Sequence, residues 1–145
     1  FEVYTRPSNR FVASFVGSNN FMQVDLNDSK FSLRSTGEVI SSSVRAPKSG
    51  SFVGAVRPED LAIFPSSAQT EDDKTKLEVP VVIQEVNYVG REIEVYGQTI
   101  NGEVIKAVGR PDAELITLAP SDKVIFRTQK EKVLFFVDEH FGVRI

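Results

Sequence analysis

One histidine, His140, is the only imidazole in the sequence, and it sits in the run Asp138-Glu139-His140. Three adjacent residues on a strand alternate between faces, so they cannot converge on one metal or one substrate. A surface turn is the expected setting. There is no cysteine, which removes thiolate zinc, cysteine catalysis and any disulfide framework, and fits a reducing compartment. A serine nucleophile needs a Gly-x-Ser-x-Gly elbow or an equivalent base. Gly50-Ser51-Phe52-Val53-Gly54 has the serine displaced from the centre.

The acidic run Glu71-Asp72-Asp73 lacks the glycine and bidentate glutamate that a calcium loop requires at fixed offsets. Glu92 and Glu94 share one strand face by their spacing, which is the placement of a carboxylate dyad or of a solvated face. A solvated face is the expectation. Lys48-Ser49 has the last two residues of a phosphate-binding loop without its glycines, and no Gly-x-Gly-x-x-Gly occurs. No catalytic constellation can be assembled, so no enzyme activity, no metal and no cofactor is expected in this chain.

The bulk properties agree. The 145 residues suit one domain or two small subdomains, with 41% hydrophobic and 26% charged residues. No apolar run approaches the ~18 residues of a membrane span. No basic stretch followed by an apolar one opens the chain, so none of it is expected to be a signal peptide. The net charge is −3. A single-strand nucleic-acid barrel would use aromatic stacking, and eleven Phe and three Tyr are available. The acidic balance and the placement of most Phe in apolar strand patterns argue against it. The chain starts at Phe1, and its opening reads as text from within a longer polypeptide.

The elements follow from periodicity. Residues 1–17 carry the one helix expected. Phe11, Val12, Phe15 and Val16 fall on one helical face, and Gly17 suits the position past its end. Pro7 at the first turn, or Ser8 or Asn9 as cap, can begin it. After Gly17 the period becomes two. Met22, Val24 and Leu26 alternate with Gln23 and Asp25, Asn27-Asp28-Ser29 turns the chain, and Phe31 to Arg34 continues the strand pattern. Weaker strands are expected near Val39-Ile40 and Val44 to Ala46, then a turn at Pro47 to Gly50.

Phe52 to Val56 and Leu61 to Phe64 are strands around Pro58-Glu59-Asp60, which starts a single helical turn or a tight bend. The polar stretch 66–76 is a loop. Leu77 to Val89 is a long strand whose Pro80 predicts an edge or a bulge. Gly90 breaks it, Arg91 to Tyr96 follows, and Asn101-Gly102, two residues that tolerate positive φ, predicts a hairpin leading into Glu103 to Val108. Further strands are expected at 123–127, 132–136 and 141–145. One helix and about ten short strands predict an all-β fold of oligobinding-type (OB-like) barrels. Residues 1–17 would be the helix and 18–145 the barrel region, with room for two such barrels sharing strands.

Three stretches add a resemblance. Residues 1–18 contain Glu2, Tyr4, Pro7, Asn9, Phe11-Val12-Ala13, Phe15-Val16 and Gly17-Ser18. They resemble the pattern Glu-x-Tyr-x-x-Pro-x-(Asn/Asp)-x-Phe-Val-Ala-x-Phe-(Ile/Val)-Gly-Ser that leaves the nucleotide-binding domain in ATPase subunits of ABC importers, the maltose-transporter-like family. Arg57-Pro58-Glu59-Asp60 is similar to that family's Arg-Pro-Glu-(His/Asp) element. Glu85 to Glu92 is similar to its Val-Glu-x-Leu-Gly-x-Glu segment.

The resemblance implies the C-terminal TOBE region of such a subunit, with the ATP- and magnesium-holding domain upstream. It implies a non-catalytic regulatory and dimerisation role in solute uptake, carbohydrate among the candidates. The alternative is oxyanion sensing, as in molybdate and sulfate importers. Implied partners are a second copy of the subunit, the transporter's membrane subunits and a regulatory protein, at the cytoplasmic face of the cell membrane; nucleic acid is not among them. Arg57, Pro58 and Glu59 would fix the turn after a strand, by an ion pair or backbone hydrogen bonds. The Phe11, Val12, Phe15, Val16 face would pack the connector helix on the barrel. The sugar importers' Gly-Ser-Pro-x-Met-Asn-Phe is replaced here by Gly17-Ser18-Asn19-Asn20-Phe21-Met22, and polyamine, iron and sulfate importers carry similar tails.

Overall fold

A computed structural model describes residues 3–4, 19–41, 51–65 and 73–137. The helix face Phe11, Val12, Phe15, Val16, the Asp138-Glu139-His140 run and the expected strands at 44–46 and 141–145 lie outside the described residues, as do the turn at 47–50 and residues 66–72 of the polar loop. The chain divides into two compact units, residues 1–57 with 130–145, and residues 58–129.

The first unit is a six-stranded sheet in the order β1-β11-β5-β2-β3-β4. Its strands are β1 (Val3–Tyr4), β2 (Asn20–Asn27), β3 (Lys30–Leu33), β4 (Val39–Ser41), β5 (Phe52–Val56) and β11 (Leu134–Val137). Val3–Tyr4, ahead of the Pro7 start expected for the helix, pair in parallel with Phe135 and Phe136 and so narrow the segment 1–17 read as helical. A strand of two residues is too short to leave a period, which is why the sequence hides it. The β2–β3 hairpin closes on Asp28 and Ser29, both at positive φ (50° and 61°). This is the type I′ geometry that matches strand twist in a two-residue turn.

The alternation read in β2 places Met22 and Val24 in the core. Phe31 stacks on Phe135, with ring centroids 4.4 Å apart, and meets the edge of Phe52 at 5.2 Å. All five residues of β5 are buried, Val53 and Ala55 joining Phe136 in a separate apolar cluster.

The second unit is a five-stranded OB-like half-barrel in the order β6-β10-β7-β8-β9. It comprises β6 (Ala62–Pro65), β7 (Lys76–Val89), β8 (Glu92–Gln98), β9 (Val104–Gly109) and β10 (Lys123–Gln129). Alternate residues fill its core: Leu77, Val79, Val81 and Ile83 from β7, Ile93 and Val95 from β8, Ile105 and Ala107 from β9, Val124 and Phe126 from β10. Gly97 is required where β8 crosses this core, since a Cβ there would lie 2.4 Å from Val81 Cγ2.

β7 runs between β10 and β8, yet Pro80 costs no ladder bond. Ile83 bonds through both N–H and C=O to the 121–122 turn on the β10 side, so alternation points the Pro80 nitrogen the other way. There the β8 ladder has already ended at Val82↔Gln98. The expected edge is therefore local, and the bulge sits at Gln84, between the pairs Ile83↔Gly97 and Glu85↔Tyr96.

The Asn101-Gly102 hairpin is present, joining β8 to β9. Gly102 alone has positive φ (88°). The Thr99 N–H reaches the Glu103 carbonyl and the Gly102 N–H the Thr99 carbonyl. That is a three-residue loop, a type I turn followed by a left-handed glycine. Thr99 selects it by placing its hydroxyl where the Glu103 N–H donates at 3.1 Å.

Candidate functional site

Pro58 is buried and opens the 3-10 turn Pro58–Asp60, where the Leu61 N–H donates to the Pro58 carbonyl at 3.2 Å. Arg57 and Glu59 are exposed, and neither side chain makes an ion pair or hydrogen bond among the described residues. The turn is thus held by the proline ring and its backbone bond. The ion pair that the resemblance offered is absent among the described residues, which leaves both charges facing water.

Glu59 lines a concavity of about 500 Å³ together with Arg91, Glu92, Val108, Gly109 and Arg110. Three elements of the second unit build it: the 3-10 turn, the β7–β8 turn and the end of β9. Gly90, at φ 61°, lets the chain reverse in two residues, Val89 facing Glu92, and this puts Arg91 at the tip. The last β8–β9 pair is Ile93↔Gly109, so Glu92 and Arg110 stand one position beyond it. Two stretches far apart in sequence, Arg57 to Asp60 and Glu85 to Glu92, therefore each contribute a glutamate to one hollow. Arg110 has no such signal in the sequence, since it follows the last residue of a strand and belongs to none of the patterns noted.

Glu92 and Glu94 are not a dyad. Glu94 Oε2 lies 3.1 Å from Lys106 Nζ, and this hydrogen bond raises the Lys106 ammonium above its ordinary value against a smaller opposing effect of burial. On the same sheet, Nε and Nη2 of Arg127 both donate to Glu78 Oε2, at 2.9 and 2.6 Å. The guanidinium lies 4.1 Å from the centre of the Phe64 ring.

A second recess of about 550 Å³ is mostly apolar, with Pro80, Val82, Ile100 and Ile125 among its lining residues. Gln84 donates to Gln98 at 3.0 Å there, and Ile100 is 88% exposed. No group of three or more His, Asp or Glu side chains that could hold a metal occurs among the described residues. No helix among them is long and apolar enough to cross a membrane.

Known proteins place this architecture. The TOBE domain matches residues 54–136. The chain belongs to the TOBE domain family. An ATP-binding protein of Brucella abortus is 31% identical over 140 residues, 95% of this chain and 36% of that protein. The iron(III) import ATP-binding protein FbpC of Fusobacterium nucleatum is 24% identical, over 95% of this chain and 35% of its own length. The sn-glycerol-3-phosphate import ATP-binding protein UgpC of Rhodopseudomonas palustris is 31% identical, over 83% and 31%. The chain thus spans about a third of the length of these curated relatives. Among solved structures, the cytoplasmic molybdate-binding protein ModG superposes with a TM-score of 0.62 at 12% identity, covering 82% of this chain and 94% of ModG. The TOBE domain and its OB-like fold are those the sequence implied.

Proposed function

We propose that this chain is the non-catalytic regulatory and dimer-supporting domain of the ATP-binding subunit of an ABC importer. The observation that carries this reading is the alignment of 95% and 83% of the chain with two import ATP-binding proteins about three times its length. In such a subunit, ATP and magnesium belong to the remaining part of the polypeptide. The sequence has Lys48-Ser49 without the glycines of a nucleotide-phosphate loop, which agrees with that assignment.

The working partners are then a second copy of the subunit and the transporter's membrane subunits, and the site of action is the inner face of the cell membrane. Contact between two such domains would keep the ATPase domains near one another while they open and close, because tethering raises effective concentration. An effector that binds one of those arrangements better than the other would regulate uptake. Two relatives are iron(III) and sn-glycerol-3-phosphate import proteins, which supports a role for this domain that does not depend on one cargo.

The test is a comparison of this chain with its parent subunit. Purified alone, the chain is expected to give no ATP turnover, whereas deleting it from the parent should leave ATP binding and lower ATP-dependent uptake. Turnover by the isolated chain, or uptake unchanged by the deletion, would defeat the proposal. A second reading, oxyanion sensing, is favoured by the ModG-like fold. Calorimetry with molybdate, tungstate and sulfate decides it, and absence of binding to all three removes it.

A further inference from the structure

The hollow at the end of β8 and β9 holds charges of both signs in equal number. Arg91 and Arg110 line it with Glu59 and Glu92. Among the described residues none of the four is engaged in an ion pair or side-chain hydrogen bond, either with one another or elsewhere. Opposite charges on an ordinary surface pair when they can, though weakly. Here two arginines and two glutamates share one concavity and remain unpaired.

Their supports are firm. Glu92 is fixed as the first residue of β8 by its pairing with Val89. Arg110 follows Gly109, the last ladder residue of β9. Gly109 rests against the core: a Cβ there would lie 3.2 Å from Leu115 Cδ1 and 3.6 Å from Ile63 Cδ1. The start of β8 and the end of β9 hold Glu92 and Arg110, two turns carry Glu59 and Arg91, and the four charged ends keep their freedom. At about 500 Å³ the space is within the range of small-molecule sites.

We propose that this concavity binds a small zwitterion, a molecule carrying a carboxylate or phosphate and an ammonium group on a short framework. The guanidinium forks of Arg91 and Arg110 take the anionic end, since their paired N–H groups match two oxygens at once. The carboxylates of Glu59 and Glu92 take the ammonium. A plain anion would be repelled by the two glutamates and a plain cation by the two arginines, so the mixture itself selects for both charges on one ligand. The proposal stands on the second unit alone and does not depend on the importer reading.

The test is a titration of the 145-residue chain with O-phosphoethanolamine, followed by the backbone amide resonances of Arg91, Glu92 and Gly109. Saturable shifts with a Kd of about 1 mM or tighter are expected. Inorganic phosphate and ethanolamine, each offering half of the ligand, should bind at least about tenfold more weakly. Arg110→Gln and Glu92→Gln should each weaken the zwitterion about tenfold, and Lys123→Gln, at the apolar recess, should not. The rest of the amide spectrum verifies that each variant is folded. Equal affinity for phosphate alone would make this a simple anion site and overturn the proposal. So would undiminished binding in Glu92→Gln, or no shift with O-phosphoethanolamine at about 50 mM.

Discussion

Asp73 shows how far a single side chain can be read and where reading stops. In the sequence it is the last of an acidic run, without ligand spacing. In the structure its Oδ1 accepts from the Thr75 hydroxyl at 2.6 Å and from the Thr75 N–H at 2.9 Å. These bonds, the hydroxyl first, hold its carboxyl below the ordinary carboxylate value. A depressed folded-state pKa means that the turn gains stability above the ordinary carboxylate range and loses it as pH falls through the folded value. Thr75→Val should move the Asp73 pKa back toward the ordinary value, which a carboxyl NMR titration checks.

Arg127 and Glu78 were invisible as a pair, because two strand residues 49 apart in sequence meet only through the β10–β7 register Arg127↔Glu78. Arg127→Ala should cost about 2 kcal/mol in chemical denaturation, the scale of a charged hydrogen bond lost with its partner left behind. Arg127→Lys should recover only part of it, because an ammonium has neither the fork nor the flat face that lies over Phe64. The hollow was largely legible. Glu59, Arg91 and Glu92 lie in stretches noted for their resemblance, whereas Arg110 joins them at a strand end that carries no periodic signal.

At the scale of elements, alternation did most of the work. Met22 and Val24, or Ile93 and Val95, declare the buried face of β2 and β8 because the side-chain period of a strand is two. Val3–Tyr4 escaped, being too short to alternate. The Asn101-Gly102 hairpin was legible, whereas its three-residue loop was not, because the Thr99 hydroxyl that accepts from the Glu103 N–H lies outside the Asn-Gly pair. Gly97 gave no turn signal at all. Its reason is the Val81 side chain pressed against it, and Gly97→Ala should destabilise the chain by about 1–3 kcal/mol through overpacking. A lowered midpoint in denaturant with an unchanged slope is the expected reading. Gly37→Ala, where a Cβ would meet no atom within 4 Å, separates the effects, since there only the cost of positive φ applies.

At the scale of the whole chain, charge is the most transferable inference. With a net charge of −3, no counterion-driven affinity for phosphate backbones is expected, and fluorescence anisotropy with a single-stranded oligonucleotide should stay flat at physiological salt. The partition into two units is the feature least visible in sequence. The boundary runs between Arg57 and Pro58 and between Gln129 and Lys130, where no run of Gly, Ser or Pro announces it. The conspicuous polar stretch 66–76 instead falls inside the second unit.

That partition has a temporal side. β5 needs β11 as its neighbour, Leu134 facing Ala55 and Val137 facing Phe52, and β11 emerges from the ribosome only after all of 58–129 has been made. The first sheet must wait, half assembled, with one flank of a wholly apolar strand uncovered. The intervening unit shortens the wait, because its own folding brings Ala62 beside Arg127 and so draws the two loose ends of the unfinished sheet together, replacing a long closure by a short one. Mutations that slow folding of residues 58–129 should therefore injure the other unit during synthesis, even where they touch none of its atoms.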